Sequence, residues 1–265
     1  NTSFADIEKK ENRKDLIISI CVFLSGFSCF AQLYYFQPLL PDLAKDFILS
    51  ASESSFAISF STLGMVFGLF TTMFVADRIP RKKMIGTGLL SSSIFSVAAS
   101  FSPTFLPLIL LSAAKGFLLS GATSVSMAYI AEEVSSRNKG KIMGLYIAGN
   151  ALGGMAGRVI SSWIGALYTW RIASVSIGLI CALFAILFLL FSPRSTNFMP
   201  RKESFHTLII ANLQLITSKA LIPFYLTGGL ILGVFVSLYN YLGFYLTKAP
   251  FMVFIIVGAR LLLLD

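Results

Sequence analysis

The chain has 265 residues, 56% of them hydrophobic and only 12% charged, with a mean hydropathy of +0.81. A soluble domain of this length has too little interior to hide so much apolar surface, which excludes the soluble globular class. The 21 Lys and Arg outnumber 12 Asp and Glu, but they collect in short stretches between apolar runs, so a nucleic-acid face on a soluble fold is excluded as well.

A bilayer core about 30 Å thick takes about 20 apolar residues at 1.5 Å rise each. The first 15 residues predict a polar tail carrying Lys9, Lys10, Arg13 and Lys14. Apolar runs then predict seven transmembrane helices at 16–40, 54–76, 84–102, 105–131, 142–167, 171–192 and 220–246. The class is an all-α integral membrane protein, since a closed barrel would show short alternating segments in place of unbroken runs. Span one carries a polar stripe at helical spacing, Ser25, Ser28, Gln32 and Tyr35. Between spans two and three lies FVADRIPRKK, with Asp77, Arg78, Arg81, Lys82 and Lys83.

Span four holds Lys115 about ten residues from one end, near the bilayer centre, where a charge costs about 2.5–3.5 kcal/mol on the lenient scale. It is expected either to face a water-filled central cavity, binding anionic substrate groups or titrating with a lowered pKa, or to snorkel. A second stripe, Ser120, Thr123, Ser124 and Met127, follows, and Glu132 and Glu133 close the span. In span five Gly149, Gly153 and Gly157 form a small-xxx-small ridge suited to close helix packing, and Arg158 follows it close enough to the boundary to snorkel or to serve a gate or substrate. Residues 193–219, with Pro193, Pro200 and four bases, predict a linker after a six-helix bundle at 16–192. Span seven carries Ser237, Asn240 and Tyr241, and the remainder of 220–265 holds FMVFIIVGARLLLL, an incomplete eighth span broken by Arg260. The start at Asn1 and the stop at Asp265 are read as incomplete ends.

Orientation follows the bases. The tail, the 77–83 loop, the 132–141 loop and the linker hold almost all of those outside spans, leaving Lys45, Arg171 and Lys248 on the other side. The amino terminus is therefore expected in the cytoplasm. All twelve acids lie in tails, loops or span ends, and the single His206 is in the linker. Cys21, Cys29 and Cys181 sit in apolar runs and read as packing residues. No metal or cofactor cluster is implied, no phosphate-binding Gly loop suggests an ATP-driven pump, and an enzyme is not expected. A seven-helix receptor or retinal protein would need the opposite orientation or a Lys within span seven, where Lys219 and Lys248 only flank it.

FVADRIPRKK resembles the signature loop of the major facilitator superfamily. Asp77 stands at the acid, Arg78 at the base, Arg81 to Lys83 at the paired bases, and Met73 and Pro80 at the two glycines. LYYFQPLLPDLAKDF, GNALGGMAGR and YNYLGFYL are similar to the first, fifth and seventh spans of its bacterial drug and sugar efflux branch. The resemblance implies a six-helix amino-terminal half plus the first helix of a second half. A second six-helix half is then the expected missing partner, beside the lipid bilayer and a small-molecule substrate. It implies proton-coupled efflux of small amphipathic compounds or sugars across a bacterial inner membrane, or a transport-inactive truncated relative. Asp77, Arg78, Arg81, Glu132 and Glu133 are the implied latch, with Asp77 capping a helix of the opposite half and Arg81 pairing with Glu132 or Glu133. Spans one, four and seven line the cavity of this family, which makes Gln32, Tyr35, Lys115 and Asn240 the cavity candidates. Ser112 and Lys115 stand where its fourth-span motif has Arg and Gln, and Gly154 and Arg158 where its fifth-span motif has Pro and Gly.

Overall fold

A computed structural model of the chain describes residues 4–200, 209–210 and 214–246. The expected eighth span at 247–265, with Arg260, and His206 of the linker lie outside the described residues. Among those described, every regular element is a helix: α1 (Phe4–Tyr34), α2 (Leu40–Asp46), α3 (Ala51–Ser54), α4 (Phe56–Val75), α5 (Arg81–Ser100), α6 (Phe105–Glu133), α7 (Lys139–Leu167), α8 (Trp170–Phe191) and α9 (Ile222–Leu246). Two 3₁₀ turns, Gln37–Leu39 and Ala76–Arg78, join them.

The helix boundaries differ from the apolar runs at both ends of α1. The expected tail is helical from Phe4, because EKKENRK consists mostly of good helix formers and contains no Gly or Pro to stop propagation. At the other end the predicted span to residue 40 breaks after Tyr34. Pro38 lacks the amide that would bond the Tyr34 carbonyl, and Pro41 the one that would bond Gln37, so the chain turns and restarts as α2. Ser50 and Glu53 form a capping box that opens α3.

Long helices pack as α4 on α6, α6 on α5, α5 on α8, and α8 with α7 around α1. Their interior inverts the pattern of a soluble protein. Serines 25, 28, 61, 92, 93, 96, 112, 120, 126, 161 and 174 are buried, whereas Phe67, Phe70, Ile94, Leu110, Val159, Trp163 and Leu183 are exposed to the surroundings. Small polar residues let helices approach when lipid removes the hydrophobic reason to pack. This explains why α5 and α7 are not among the five segments of the described residues that are apolar enough to cross a bilayer by composition alone, which are Glu11–Asp46, Ala51–Arg78, Phe105–Glu133, Trp170–Phe191 and Ile222–Leu242. The buried serines of α5 and the glycines of α7 lower their hydropathy while serving the packing.

The glycine ridge of α7 does lie on α1. A Cβ built at Gly149 would come 2.6 Å from the Phe23 carbonyl oxygen, one at Gly157 would come 2.7 Å from Ala31 Cα, and one at Gly153 would strike the backbone of Phe27. Two apolar clusters complete the bundle. One, around Ile18, Ile85, Leu119, Tyr129 and Phe188, lies toward the end carrying the basic loops. The other, around Tyr35, Leu39, Leu43, Leu108, Trp170 and Ile177, lies toward the opposite end. Helix α9 stands apart: Phe224, Leu230, Ile231 and Val234 are exposed, and it meets the bundle chiefly at the Gln37–Leu39 turn and α2.

Candidate functional site

Three groups of polar side chains stand out, at the basic end, inside the bundle and at the opposite end. At the basic end, Arg81 is the first residue of α5 and is buried. Its Nη2 donates to Asp77 Oδ1 at 2.9 Å and to Glu132 Oε1 at 3.0 Å, its Nε to Glu132 Oε1 at 3.2 Å, and its Nη1 to the Ala76 carbonyl. The guanidinium also stacks 4.9 Å from the Phe198 ring centroid. Arg81 therefore pairs with Glu132, one of its two expected partners. Asp77 is held by Arg81 within its own loop, and Arg78 is exposed.

Glu133 does other work. It accepts from Lys14 Nζ at 2.8 Å, Thr196 Oγ1 at 2.9 Å and the Asn197 amide at 2.7 Å. Tyr129 holds Ser192 and the Pro193 carbonyl, each at 2.8 Å, and the Lys82 amide donates to Ser195. Asp15 accepts from Ser135 and Asn138. The network thus ties the amino-terminal end of α1 and the segment after α8 to the loop containing Asp77. Lys14, Asp15, Tyr129 and Thr196 were not expected in it; the adjacent acids Glu132 and Glu133 were the available signal, two carboxylates needing two sets of donors.

Inside the bundle, the structure brings Gln32, Tyr35 and Lys115 together, all essentially without exposure. A chain of bonds runs from Tyr35 Oη to Ser174 Oγ at 2.9 Å, from Ser174 to the Ser96 carbonyl at 2.8 Å, and from Ser96 Oγ to Gln32 Oε1 at 3.1 Å. Lys115 Nζ lies over the rings of Tyr35 and Phe36, 4.5 and 4.9 Å from their centroids. It has no hydrogen-bond partner among the described residues, nor do Gln32 Nε2 or the hydroxyls of Ser25, Ser28, Ser61 and Ser112. Lys115, expected to face a water-filled cavity, is enclosed in the state described. It is 1% exposed beneath Tyr35 and Phe36, while the lower stripe of α6 turns elsewhere, Ser120 meeting Thr72 of α4 and Ser124 being exposed. A separate cavity of about 310 Å³ between α4, α5 and α6, lined by Thr71, Thr72, Thr87, Ser91 and Phe117, contains none of the cavity candidates.

At the opposite end, Arg158 of α7 joins three elements. Its Nε donates to Gln37 Oε1 at 2.5 Å and its Nη1 to the Gly154 carbonyl at 2.8 Å. Gln37 Nε2 in turn donates to Asn240 Oδ1 of α9 at 3.0 Å. Rings of Tyr34, Tyr239 and Phe235 lie 4.5, 4.6 and 5.5 Å from the guanidinium. Asn240 is therefore not beside Lys115; it belongs with Arg158, which the sequence offered for snorkelling, a gate or substrate without naming these partners. Such a cation–π cage draws on residues from three separate segments and leaves no local motif.

The sequence profile of the Major Facilitator Superfamily matches residues 19–264. The chain belongs to the major facilitator superfamily. Among its relatives, the inner membrane transport protein YnfM of Escherichia coli K12 is 36% identical over 234 residues, covering 88% of this chain and 56% of that protein. An uncharacterized transporter of Buchnera aphidicola from Schizaphis graminum is 35% identical over 245 residues, covering 92% and 59%. The chain thus spans a little over half the length of these major facilitator relatives. A bacterial homologue of the human lysosomal transporter Spinster, solved in an inward-facing and unoccupied conformation, superposes with a TM-score of 0.75 at 15% identity, over 93% of this chain and 58% of that one. That likeness shows the major facilitator fold. It agrees with the six-helix bundle and the additional helix α9, and the family consists of transporters, not enzymes.

Proposed function

We propose that the protein represented by this chain is a secondary active transporter that couples proton movement to the efflux of small amphipathic compounds or sugars, in a bacterial inner membrane with its amino terminus in the cytoplasm. The observation that carries this reading is the pair of polar contact sets at opposite ends of one bundle. The Arg81–Glu132 network gathers the loops of the bundle at the basic end, where a second half would meet them, and Arg158 with Gln37 holds α9 at the other. Rocking between two halves requires contacts at each end that can be made and broken in turn. In this reading Asp77, Arg78 and Glu133 support the basic-end latch, Gly149, Gly153 and Gly157 keep α1 and α7 together, and Gln32, Tyr35 and Lys115 brace the bundle wall behind the substrate path.

The test is transport by the full-length protein in proteoliposomes carrying an imposed pH gradient. Flux that collapses with a protonophore supports proton coupling, and flux unchanged by collapse of the gradient overturns it. A second reading applies to a polypeptide limited to these residues: it offers one bundle and one largely exposed helix, and is proposed to be transport-inactive. Gradient-driven flux by that polypeptide alone would refute this.

A further inference from the structure

The charges inside the spans are unbalanced. Lys115 and Arg158 are cations at membrane depth, and among the described residues every acid lies in the polar amino-terminal stretch of α1, a loop or a helix end. No ion pair joins either cation to an acid among the described residues. Near the end where Arg158 lies, Asp46 is taken by Arg171 at 3.2 Å and by Trp170 Nε1 at 2.9 Å, Glu53 by the Ser50 capping box, and Asp42 of α2 makes no ion pair with Arg158. A buried charge without a partner is costly and is retained where something else completes it.

Lys115 is enclosed within the bundle, whereas Arg158 is half-buried at the seam between the bundle and α9. Its Nε and Nη1 are committed to Gln37 and Gly154, but Nη2, which carries two N–H donors, has neither a partner nor solvent contact. The faces of the guanidinium are covered by Tyr34 on one helix and by Tyr239 and Phe235 on α9. What the seam lacks is an acceptor, and an anionic one satisfies both the orphan donors and the uncompensated charge. The planar rings offer stacking surfaces to an aromatic body attached to it.

We propose that Arg158, held by Gln37, is the recognition site for the carboxylate of a small aromatic anion, with Tyr34, Tyr239 and Phe235 flanking the ring of that anion. The proposal rests on the transporter reading and names its substrate class. In the state described, α9 covers the site. Because α9 meets the bundle at few places, a small outward shift of α9 opens Nη2 to the anion while Tyr239 and Phe235 stay beside it, without disturbing the helices that position Arg158.

Three probes of similar shape separate charge from stacking: benzoate, benzamide and benzylamine, tested on purified full-length protein by equilibrium binding and thermal shift, and in proteoliposomes by flux. Benzoate is expected to bind at least tenfold more tightly than the neutral amide or the cationic amine. Arg158→Gln should lose at least tenfold in benzoate affinity, Arg158→Lys should lose less, and added salt should weaken benzoate binding. Should Arg158→Gln not fold, Tyr239→Leu removes a stacking face and should weaken benzoate while keeping its preference over benzylamine. Undetectable benzoate binding, equal or tighter binding of benzylamine, or unchanged affinity in Arg158→Gln would each overturn the proposal. Gradient-driven flux of a neutral sugar without benzoate binding sinks the anion site and leaves the transporter reading intact. Benzoate binding that depends on Arg158, with no gradient-driven flux of benzoate, of other amphipathic compounds or of sugars, supports the site and removes the transporter reading.

Discussion

The coupling between Arg81 and Glu132 yields a number that a double-mutant cycle can read. Arg81 reaches Glu132 through two nitrogens, and the two side chains are 9% and 25% exposed. A fully exposed pair is worth about 0.2–1 kcal/mol, and a shielded hydrogen bond to a charged group about 1.5–3 kcal/mol. Partial shielding puts the coupling near 1.5 kcal/mol, about a tenfold change in an equilibrium constant. Arg81→Gln also loses the more exposed Asp77 pair, at about 0.5 kcal/mol, and the Ala76 carbonyl bond, at about 1 kcal/mol, for a total near 3 kcal/mol. Glu132→Gln leaves Arg81 its other two partners and should cost about 2 kcal/mol, a little more than the coupling itself. The double variant should then cost about 3.5 kcal/mol, short of additivity by the coupling. Unfolding of each purified variant in a denaturing detergent titration, followed by fluorescence of the buried Trp170, measures all four corners. Additivity within about 0.3 kcal/mol would refute the pairing.

Other outcomes follow from the same packing. Gly153→Val drives a branched side chain into the Phe27 backbone and should cost about 1–3 kcal/mol in that titration, whereas Gly144→Ala, with nothing within 4 Å of an added Cβ, should be neutral or slightly stabilising. Lys115→Met keeps the length of the stem and removes a buried charge costing about 2.5–3.5 kcal/mol, against the loss of two cation–π contacts at about 1 kcal/mol each. Its unfolding midpoint should rise, and a clear fall would show that the charge is compensated. With Cys21, Cys29 and Cys181 replaced by Ala, Gln37→Cys and Asn240→Cys should be joined by a short bifunctional thiol reagent. The test is retention of α9 on the bundle fragment in a denaturing gel after trypsin cleaves at the exposed Arg194 or Lys219, and complete separation would refute the docking of α9.

Residue patterns carried the class and the long helices, because run length is a local property, whereas the Arg81–Glu132 pair, 51 positions apart, was implied by the resemblance of the 74–83 loop to the family signature. They were less informative where the answer depends on which neighbour covers a face. The stripe Ser25, Ser28, Gln32 and Tyr35 was visible, but periodicity does not tell whether a stripe looks into the bundle or onto the seam between halves. The packing of α5 and α8 decides that, with Ser96 and Ser174 closing over Gln32 and Tyr35. The same limit hid the partnership of Arg158 with Asn240, which are far apart in sequence and linked through Gln37. The end of α1 was misplaced for a different reason: hydropathy continues through Pro38 and Pro41, whereas the missing amides do not let the helix continue.

The glycine ridge between α1 and α7 gives the site one stiff wall. Where backbone rests on backbone at Gly149, Gly153 and Gly157, no side chain is available to shift rotamer and absorb a displacement. Arg158 stands one residue beyond the last of these contacts, so its position is set by the least compressible part of the bundle. The facing wall is compliant, because α9 rests on it through the side chains of Gln37 and Asn240 and a few rings. A bound molecule of changing size is then accommodated by movement of α9, while the guanidinium keeps a fixed reference point.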